Sequence, residues 1–515
     1  MFSLPLHDWL NQRMPTARQA NPGVPFFRLA TQLIREAVID GTLPAGMRLP
    51  STRSLAAELG VSRTTMVGIF EQLKAEGFVV SGHGSGTYVC RINVEKVAVD
   101  LSIRNISTHI SNSPSPTAMP GELKLSTRGA YLDQAPLNRY GKGQPFSPGN
   151  KDDGLFPLNL WTRLQQRHLR AVKSGGLQAR ERGGLLELRN AIAEYLRVAR
   201  GVRCEPEQVI ITQGTNLSLD LVTRLLCDAG DCAWVESPCY WPAAFICSAN
   251  GLALHPVDVD EEGMAPPGYP ATTSMPNDPS PRLVYLTPSH QFPLGGVMPI
   301  GRRMAWLDFA RQRDCMLVED DYDSEYRFSG APIPSLQGLD THGRVIYLGT
   351  FSKTLFAGIR IAFAVVPQTL VRSFSEAASY LYHDGDLVQQ AVLADFIREG
   401  HYAAHLRRTR VIYGERRIAL TTALQQMLPN AFTQGKIRFS GAEAGVHLTM
   451  LLPVELDDVA IAKVADLAGI TTIPLSAYCI GKPRSGLVFS YAATPPEEIK
   501  MLAQRLSEVI RTVLM

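Results

Sequence analysis

The chain has 515 residues, a formal net charge of +3, 45% hydrophobic and 19% charged side chains. That length exceeds what one hydrophobic core organises, so several domains are expected, and so small a charge is no argument for nucleic-acid binding by itself. No apolar run reaches the roughly 20 residues that cross a bilayer, and MFSLPLHDWLNQRM at the start lacks the basic start, apolar stretch and cleavage site of a signal peptide. A cytoplasmic protein with no membrane partner is therefore expected. The eight cysteines form no C-x-x-C pair, and the cluster Cys227, Cys232, Cys239, Cys247 fits no zinc spacing, so buried free thiols and no metal site are expected.

In chain order, residues 1–24 carry Pro and Asn and read as a loose arm. FFRLATQLIREAVID (26–40) is amphipathic, with Phe26, Leu29, Leu33 and Ala37 on one face, and Gly41 stops it. Ser51 or Ser54 caps a short helix that ends at Gly60. Ser62 caps the next, Arg63 to Glu76, with Met66, Ile69, Phe70 and Leu73 inward. Phe78–Val80 and Thr87–Val89 are short strands around the Gly-rich turn SGHGSG.

Helix, helix–turn–helix and hairpin together predict a winged helix over residues 25–92. Such a module sets the N-terminal end of its third helix in the major groove. There Ser62, Arg63, Thr64 and Thr65 offer hydroxyls and a guanidinium to phosphates and base edges, with Arg48 and Arg53 on the same edge. Use for protein contacts alone is the lesser reading. The stretch LPSTRSLAAELGVSRTTMVGIFEQLKAEGFVVSGHGSGTYV resembles the DNA-binding domain of the GntR regulators. The resemblance implies a double-stranded DNA operator contacted by Arg53, Arg63, Thr64, His83 and Gly84. Val67 stands where some relatives carry a further basic residue.

Residues 93–122 are rich in Ser, Thr, Asn and Pro without a periodic apolar pattern, and read as a linker. From 123 to 515 apolar strands alternate with amphipathic helices, which predicts an α/β domain with a mainly parallel sheet. Residues from about 390 to 515 read as a smaller α+β C-terminal subdomain. Gly214, Tyr240, Ser289, Asp320 and Lys353 all follow or end predicted strands, where ligands collect in such sheets.

Three segments carry the chemistry. YLGTFSKTLFAGIRIA places Lys353 among Thr350, Ser352 and Thr354, with Arg360 beyond. Such a lysine can form a Schiff base with pyridoxal 5'-phosphate while hydroxyls and the arginine meet its phosphate. By itself that window reads as a loop lysine. LVEDDYDSEY (317–326) runs apolar and then acidic, as a buried strand does when it delivers a carboxylate to a pyridinium nitrogen. Asp320 comes first after the buried run; Asp321 and Asp323 compete for that role. IITQGTN (210–216) leads through Gly214 into a helix whose backbone N–H groups suit an anion.

Strand–Gly–helix, strand–Asp and strand–Lys in this order resemble the fold-type-I pyridoxal-phosphate transferases. The resemblance implies Asp320 at the ring nitrogen, Tyr322 near the phenolic oxygen and Tyr240 stacked on the ring. Gly214 and Thr215 would then hold the phosphate with Thr350, Ser352 and Arg360, and Lys353 would be the catalytic Schiff-base residue. Over residues 25–515 the chain resembles the MocR subfamily of GntR-type regulators, through PSTRSLAAELGVSRTT, VEDDYDSEYRF and TFSKTLFAGIR. That implies a head-to-tail homodimer that senses a small amino compound or pyridoxal phosphate itself through an internal aldimine at Lys353. The alternative is a working aminotransferase with an accessory DNA-binding domain.

Some positions depart from the family patterns. Residues 179–182 stand where many relatives carry an aromatic residue that reaches the partner's phosphate. Phe292 replaces the usual transaminase Asn. Val488 occupies the place of the arginine that binds a substrate carboxylate, with Arg484 a nearby candidate for that task.

Overall fold

The computed structural model describes residues 5–82, 86–90, 125–126, 129–130, 144–173, 182–269, 278–329, 333–441 and 443–514. The chain divides into two compact units, Met1–Glu122 and Leu123–Met515. The wing residues His83 and Gly84 and the predicted linker lie outside the described residues.

The first unit runs α1 (Leu6–Ala20), α2 (Phe26–Ile39), β1 (Arg48–Leu49), α3 (Thr52–Leu59), α4 (Arg63–Ala75), β2 (Val79–Gly82) and β3 (Gly86–Val89). The expected loose arm is instead a helix. Leu6, Trp9, Leu10 and Met14 form one stripe on α1 and join Leu29, Ile34, Leu55 and Leu73 in a single core. Spacings of three and four residues bring them to one face, and burying that stripe outweighs the backbone donor that Pro15 removes.

Ser51 opens α3 by accepting a hydrogen bond from the Ser54 N–H (3.1 Å), and Gly60 closes it in the left-handed region (φ 64°). On α4, a Cβ at Gly68 would meet the Phe27 ring of α2 at 3.0 Å, so glycine permits that close crossing. The three strands pair antiparallel in the order β1-β3-β2.

The second unit contains β4 (Val209–Thr212), β5 (Cys232–Ser237), β6 (Ala253–Asp260), β7 (Gly263–Met264), β8 (Leu283–Leu286), β9 (Met316–Asp321), β10 (Val345–Thr350) and β11 (Ala362–Val365). They form one sheet in the order β4-β11-β10-β9-β8-β5-β6-β7. The strands from β10 across to β6 pair in parallel. β11 runs antiparallel between β10 and β4, so β4 points the same way as the parallel set. β4, β8 and β9 are buried along their whole length, as expected of a sheet covered on both faces.

Four helices matter for the site: α5 (Leu158–Lys173), α6 (Leu186–Arg200), α7 (Thr215–Leu226) and α8 (Trp241–Ala249). A smaller lobe holds β12 (Arg438–Ser440), β13 (His447–Leu451), β14 (Ile473–Pro474) and β15 (Gly486–Ser490), antiparallel in the order β12-β13-β15-β14. One core runs from Leu188 and Ile192 on α6 through Phe351 and Phe396 to Phe489 and Leu506, so this lobe is packed onto the rest of its unit. Among the described residues no helix is long and apolar enough to cross a membrane.

The α1 stripe makes a prediction. Leu10→Ala should remove about 2–5 kcal/mol from the first unit. Amide exchange in the full-length chain should then quicken in α2 and α4 and stay unchanged in β9.

Candidate cofactor site

The parallel strands deliver their carboxyl ends to a cavity of about 400 Å³, lined among others by Gly214, Thr215, Tyr240, Asp320, Tyr322, Thr350, Ser352, Lys353 and Arg360. All nine residues predicted from the sequence as cofactor-binding thus come together in one place.

Lys353 sits in the turn that leaves β10. That turn is tied by the Ser352 N–H to Thr350 Oγ1 (3.1 Å) and by the Leu355 N–H to the Phe351 carbonyl (2.9 Å). A second lysine, missed in the sequence, braces it: Lys151 Nζ donates to the carbonyl of Ser352 and to that of Leu355 (3.0 Å). Burial pulls Lys151 down to about 7, with the Lys353 charge adding to the effect. Burial also lowers Lys353, against the pull of Asp323 and Asp320, and so favours the neutral amine that a nucleophile needs.

The three competing carboxylates separate by their partners. Asp321 accepts from Arg200 Nε (2.7 Å) and from the Tyr347 hydroxyl (2.6 Å), away from the cavity. Burial works to raise its carboxyl, but the Arg200 guanidinium together with hydrogen bonds from Ser324, Tyr347 and Arg200 holds it below the usual range. Asp323 is taken by His290 Nδ1 (3.0 Å) and the Val446 N–H (3.3 Å). Asp320 lines the cavity. Its Oδ2 accepts from the Tyr285 hydroxyl (2.5 Å), while its buried Oδ1 has no partner. Burial pushes Asp320 up to about 7, so an ionised carboxylate there requires a facing cation.

At the other edge, Gly214 (φ 131°) precedes α7, and a Cβ there would lie 2.6 Å from Arg360 Nη2. A glycine, a guanidinium and a free helix N-terminus thus converge, the ingredients of an anion cradle. Ser352 Oγ, also in the lining, is buried and unpartnered. The Tyr240 ring stands edge-on to Phe292, and its hydroxyl reaches Asn216 Oδ1 at 3.3 Å. The Tyr322 hydroxyl lies 2.9 Å from His290 Nδ1. An orphaned carboxylate, an orphaned hydroxyl, a lysine and an anion cradle around one cavity fit pyridoxal phosphate group by group.

Two expectations change. Ser289 lies behind the cavity, where its hydroxyl accepts from Arg200 Nη2 (2.7 Å). Arg484 donates to the Val259 carbonyl (2.7 Å) and is not part of the lining, so it is no candidate for a ligand carboxylate. His290, Asp323 and His447 approach closely enough to be weighed as cation ligands. Two of their ring nitrogens are already engaged, His290 Nδ1 by Asp323 and His447 Nε2 by the Pro293 carbonyl.

On the first unit, Arg53, Arg63 and Thr64 are exposed. Ser62 Oγ instead accepts from the Thr65 N–H (3.0 Å) and pairs with Thr65 Oγ1 (2.7 Å), so those two hydroxyls cap α4.

Residues 150–506 match the model of the aminotransferase class I and II family, and residues 29–89 match that of the gntR family of bacterial regulatory proteins. The fold and site thus define a gntR-type DNA-binding head joined to a fold-type-I aminotransferase domain. A probable rhizopine catabolism regulatory protein MocR from Rhizobium meliloti is 37% identical, over 93% of this chain and 92% of that protein. The pyridoxine biosynthesis regulator PdxR of Corynebacterium glutamicum is 30% identical, over 93% and 95%. The structure of LysN, an α-aminoadipate aminotransferase from Thermus thermophilus, is 28% identical, covering 75% of this chain and 97% of that one with a TM-score of 0.66. This chain belongs to the MocR subfamily of GntR-type transcriptional regulators.

The Arg200–Asp321 pair is open to a stability test. Arg200→Leu leaves a buried carboxylate unpaired and should cost about 3–5 kcal/mol at neutral pH. Asp321 is depressed in the fold, so its contribution is present above the unfolded carboxyl's value of about 3.9 and is lost as pH falls through the folded one. In the variant the unpaired carboxyl takes up a proton more readily. The difference in urea midpoints should therefore narrow between about pH 7 and about pH 5.

Proposed function

We propose that the cavity holds pyridoxal 5'-phosphate on Lys353, and that a small amino compound, or the cofactor itself, entering it shifts the protein between two DNA-bound states. The observation that carries this reading is the unpartnered, buried Oδ1 of Asp320 in the same cavity as Lys353. When bound, the cofactor supplies an electrophilic carbon to a primary amine and an electron-withdrawing ring behind it.

The chain does the rest. Asp320, fixed by Tyr285, holds a proton at the ring nitrogen. Tyr240 covers one ring face, and Tyr322 donates toward the phenolic oxygen. Gly214, Thr215, Thr350, Ser352 and Arg360 receive the phosphate. Lys151 keeps the Lys353 turn in place from behind. Relatives named for rhizopine catabolism and for pyridoxine biosynthesis support a ligand-responsive regulator.

Arg53, Arg63 and Thr64 meet operator DNA, with Ser62 and Thr65 shaping the helix end that presents them; His83 and Gly84 of the wing join them. The protein acts as a head-to-tail homodimer in the cytoplasm, since a two-fold partner matches paired half-sites. Likeness to LysN favours a second reading, a working transaminase. Phe292 in place of the usual Asn and Val488 in place of the arginine weigh against it.

Lys353→Ala should abolish the visible absorbance of the purified protein while leaving its fold intact by circular dichroism. An amine that shifts both that absorbance and operator affinity without turnover supports the sensor. Steady oxo-acid production identifies the transaminase instead, and a protein that takes up no pyridoxal phosphate defeats both readings. On the DNA side, Arg63→Ala should weaken operator binding by about 1–3 kcal/mol. Binding isotherms at several salt concentrations check this.

A further inference from the structure

The wall contributed by the smaller lobe says which amines the cavity prefers. His447, on β13, lines the cavity beside Phe292, Ile473 and Tyr478. Its Nε2 lies 3.1 Å from the carbonyl oxygen of Pro293. A carbonyl only accepts, so Nε2 carries the hydrogen, and in a neutral ring Nδ1 is then a bare acceptor. The ring is neutral: burial, helped by His290, pushes it down to about 3. Thr449 donates to the same carbonyl (2.6 Å), and the Phe292 ring packs 5.1 Å from the imidazole. The tautomer and the ring are thereby held from two sides.

The lining brings no arginine to this wall, and the charges of His290 and Lys353 bear on the imidazole by keeping it neutral. Among the described lining residues the cationic side chains are Lys353 and Arg360, and Arg360 is drawn to Gly214 at the α7 anion cradle. Val488 is fully buried on β15, opposite Ile473, and contributes nothing to the lining. A ligand carboxylate here would turn an acceptor-only group toward the lone pair of Nδ1, among aromatic and aliphatic side chains. A hydroxyl or a second amino group would find its complement.

We infer that the ligand read by this cavity is a primary amine bearing a hydrogen-bond donor, as in an amino alcohol or polyol, which donates to His447 Nδ1, and not an amino acid. The inference rests on the reading that the cavity takes amines on a cofactor held by Lys353.

The test titrates the cofactor-loaded, full-length protein with 3-amino-1-propanol, n-butylamine and β-alanine, by calorimetry and by visible absorbance. One hydrogen bond with its donor satisfied should favour the amino alcohol over n-butylamine by about tenfold, with β-alanine weakest. In His447→Phe that ratio should fall to near one, and His447→Gln, which keeps an acceptor, should restore part of it. The ratio is taken within each variant, so a general change in cofactor affinity does not enter. β-alanine binding more tightly than the amino alcohol, or an unchanged ratio in His447→Phe, overturns the inference while leaving the sensor reading standing. A loaded protein whose absorbance no amine perturbs overturns both.

Discussion

The site depends on how β9 distributes three consecutive carboxylates. Side chains alternate across a strand, so Glu319 and Asp321 share one face and Asp320 takes the other. On the rear face, Glu319 accepts from the N–H groups of Leu336 (2.8 Å) and Gln337 (2.9 Å), with Arg303 at 3.5 Å. Asp321 accepts from Arg200 and Tyr347. With those partners behind the sheet for Glu319 and Asp321, Asp320 is the one of the three that lines the cavity. Arg200 comes from the end of α6 and also holds Ser289, so one guanidinium ties together the helix, the loop after β8 and the strand β9 that carries Asp320.

The sequence revealed the parts of this arrangement that are local. Lys353, Asp320 and Gly214 each end or follow a strand and carry their chemistry in their immediate neighbours. The choice of Asp320 over Asp321 and Asp323 needed tertiary partners, and their arrangement favours it, since Asp320 alone of the three lines the cavity. Lys151, Tyr285 and His447 were not legible because their meaning lies in what they touch. Lys151 in NKDDG reads as a surface lysine until its amine is found on the Ser352 and Leu355 carbonyls. The α1 helix was overlooked for a different reason: Pro15 and the flanking polar residues masked a stripe whose spacing was there to be read.

The winged helix shows the same limit on a smaller scale. Four residues at the start of α4 look equivalent as donors to DNA. The helix itself needs partners for its first free N–H groups, and Ser62 and Thr65 serve that need. Arg63 and Thr64, the first two positions inside the cap, are left outward. A good N-cap therefore narrows the set proposed to face DNA, because it fixes the direction in which the remaining side chains leave the helix.

The two halves of the cavity bear differently on the choice between regulator and enzyme. The large-lobe half brings together the groups proposed to hold a cofactor and receive an amine: Lys353, Asp320, Tyr322, Arg360 and the α7 N-terminus. The opposite half, which in a transaminase must orient an amino acid for repeated proton transfer, is rebuilt around Phe292, which packs against Tyr240, Tyr322, His447 and Tyr478. Catalysis needs more than capture, since rate comes from interactions made only in the transition state. A site that keeps its capture groups and replaces its orienting charge with apolar surface is shaped for binding free energy, which is the quantity a switch between two DNA-bound states consumes.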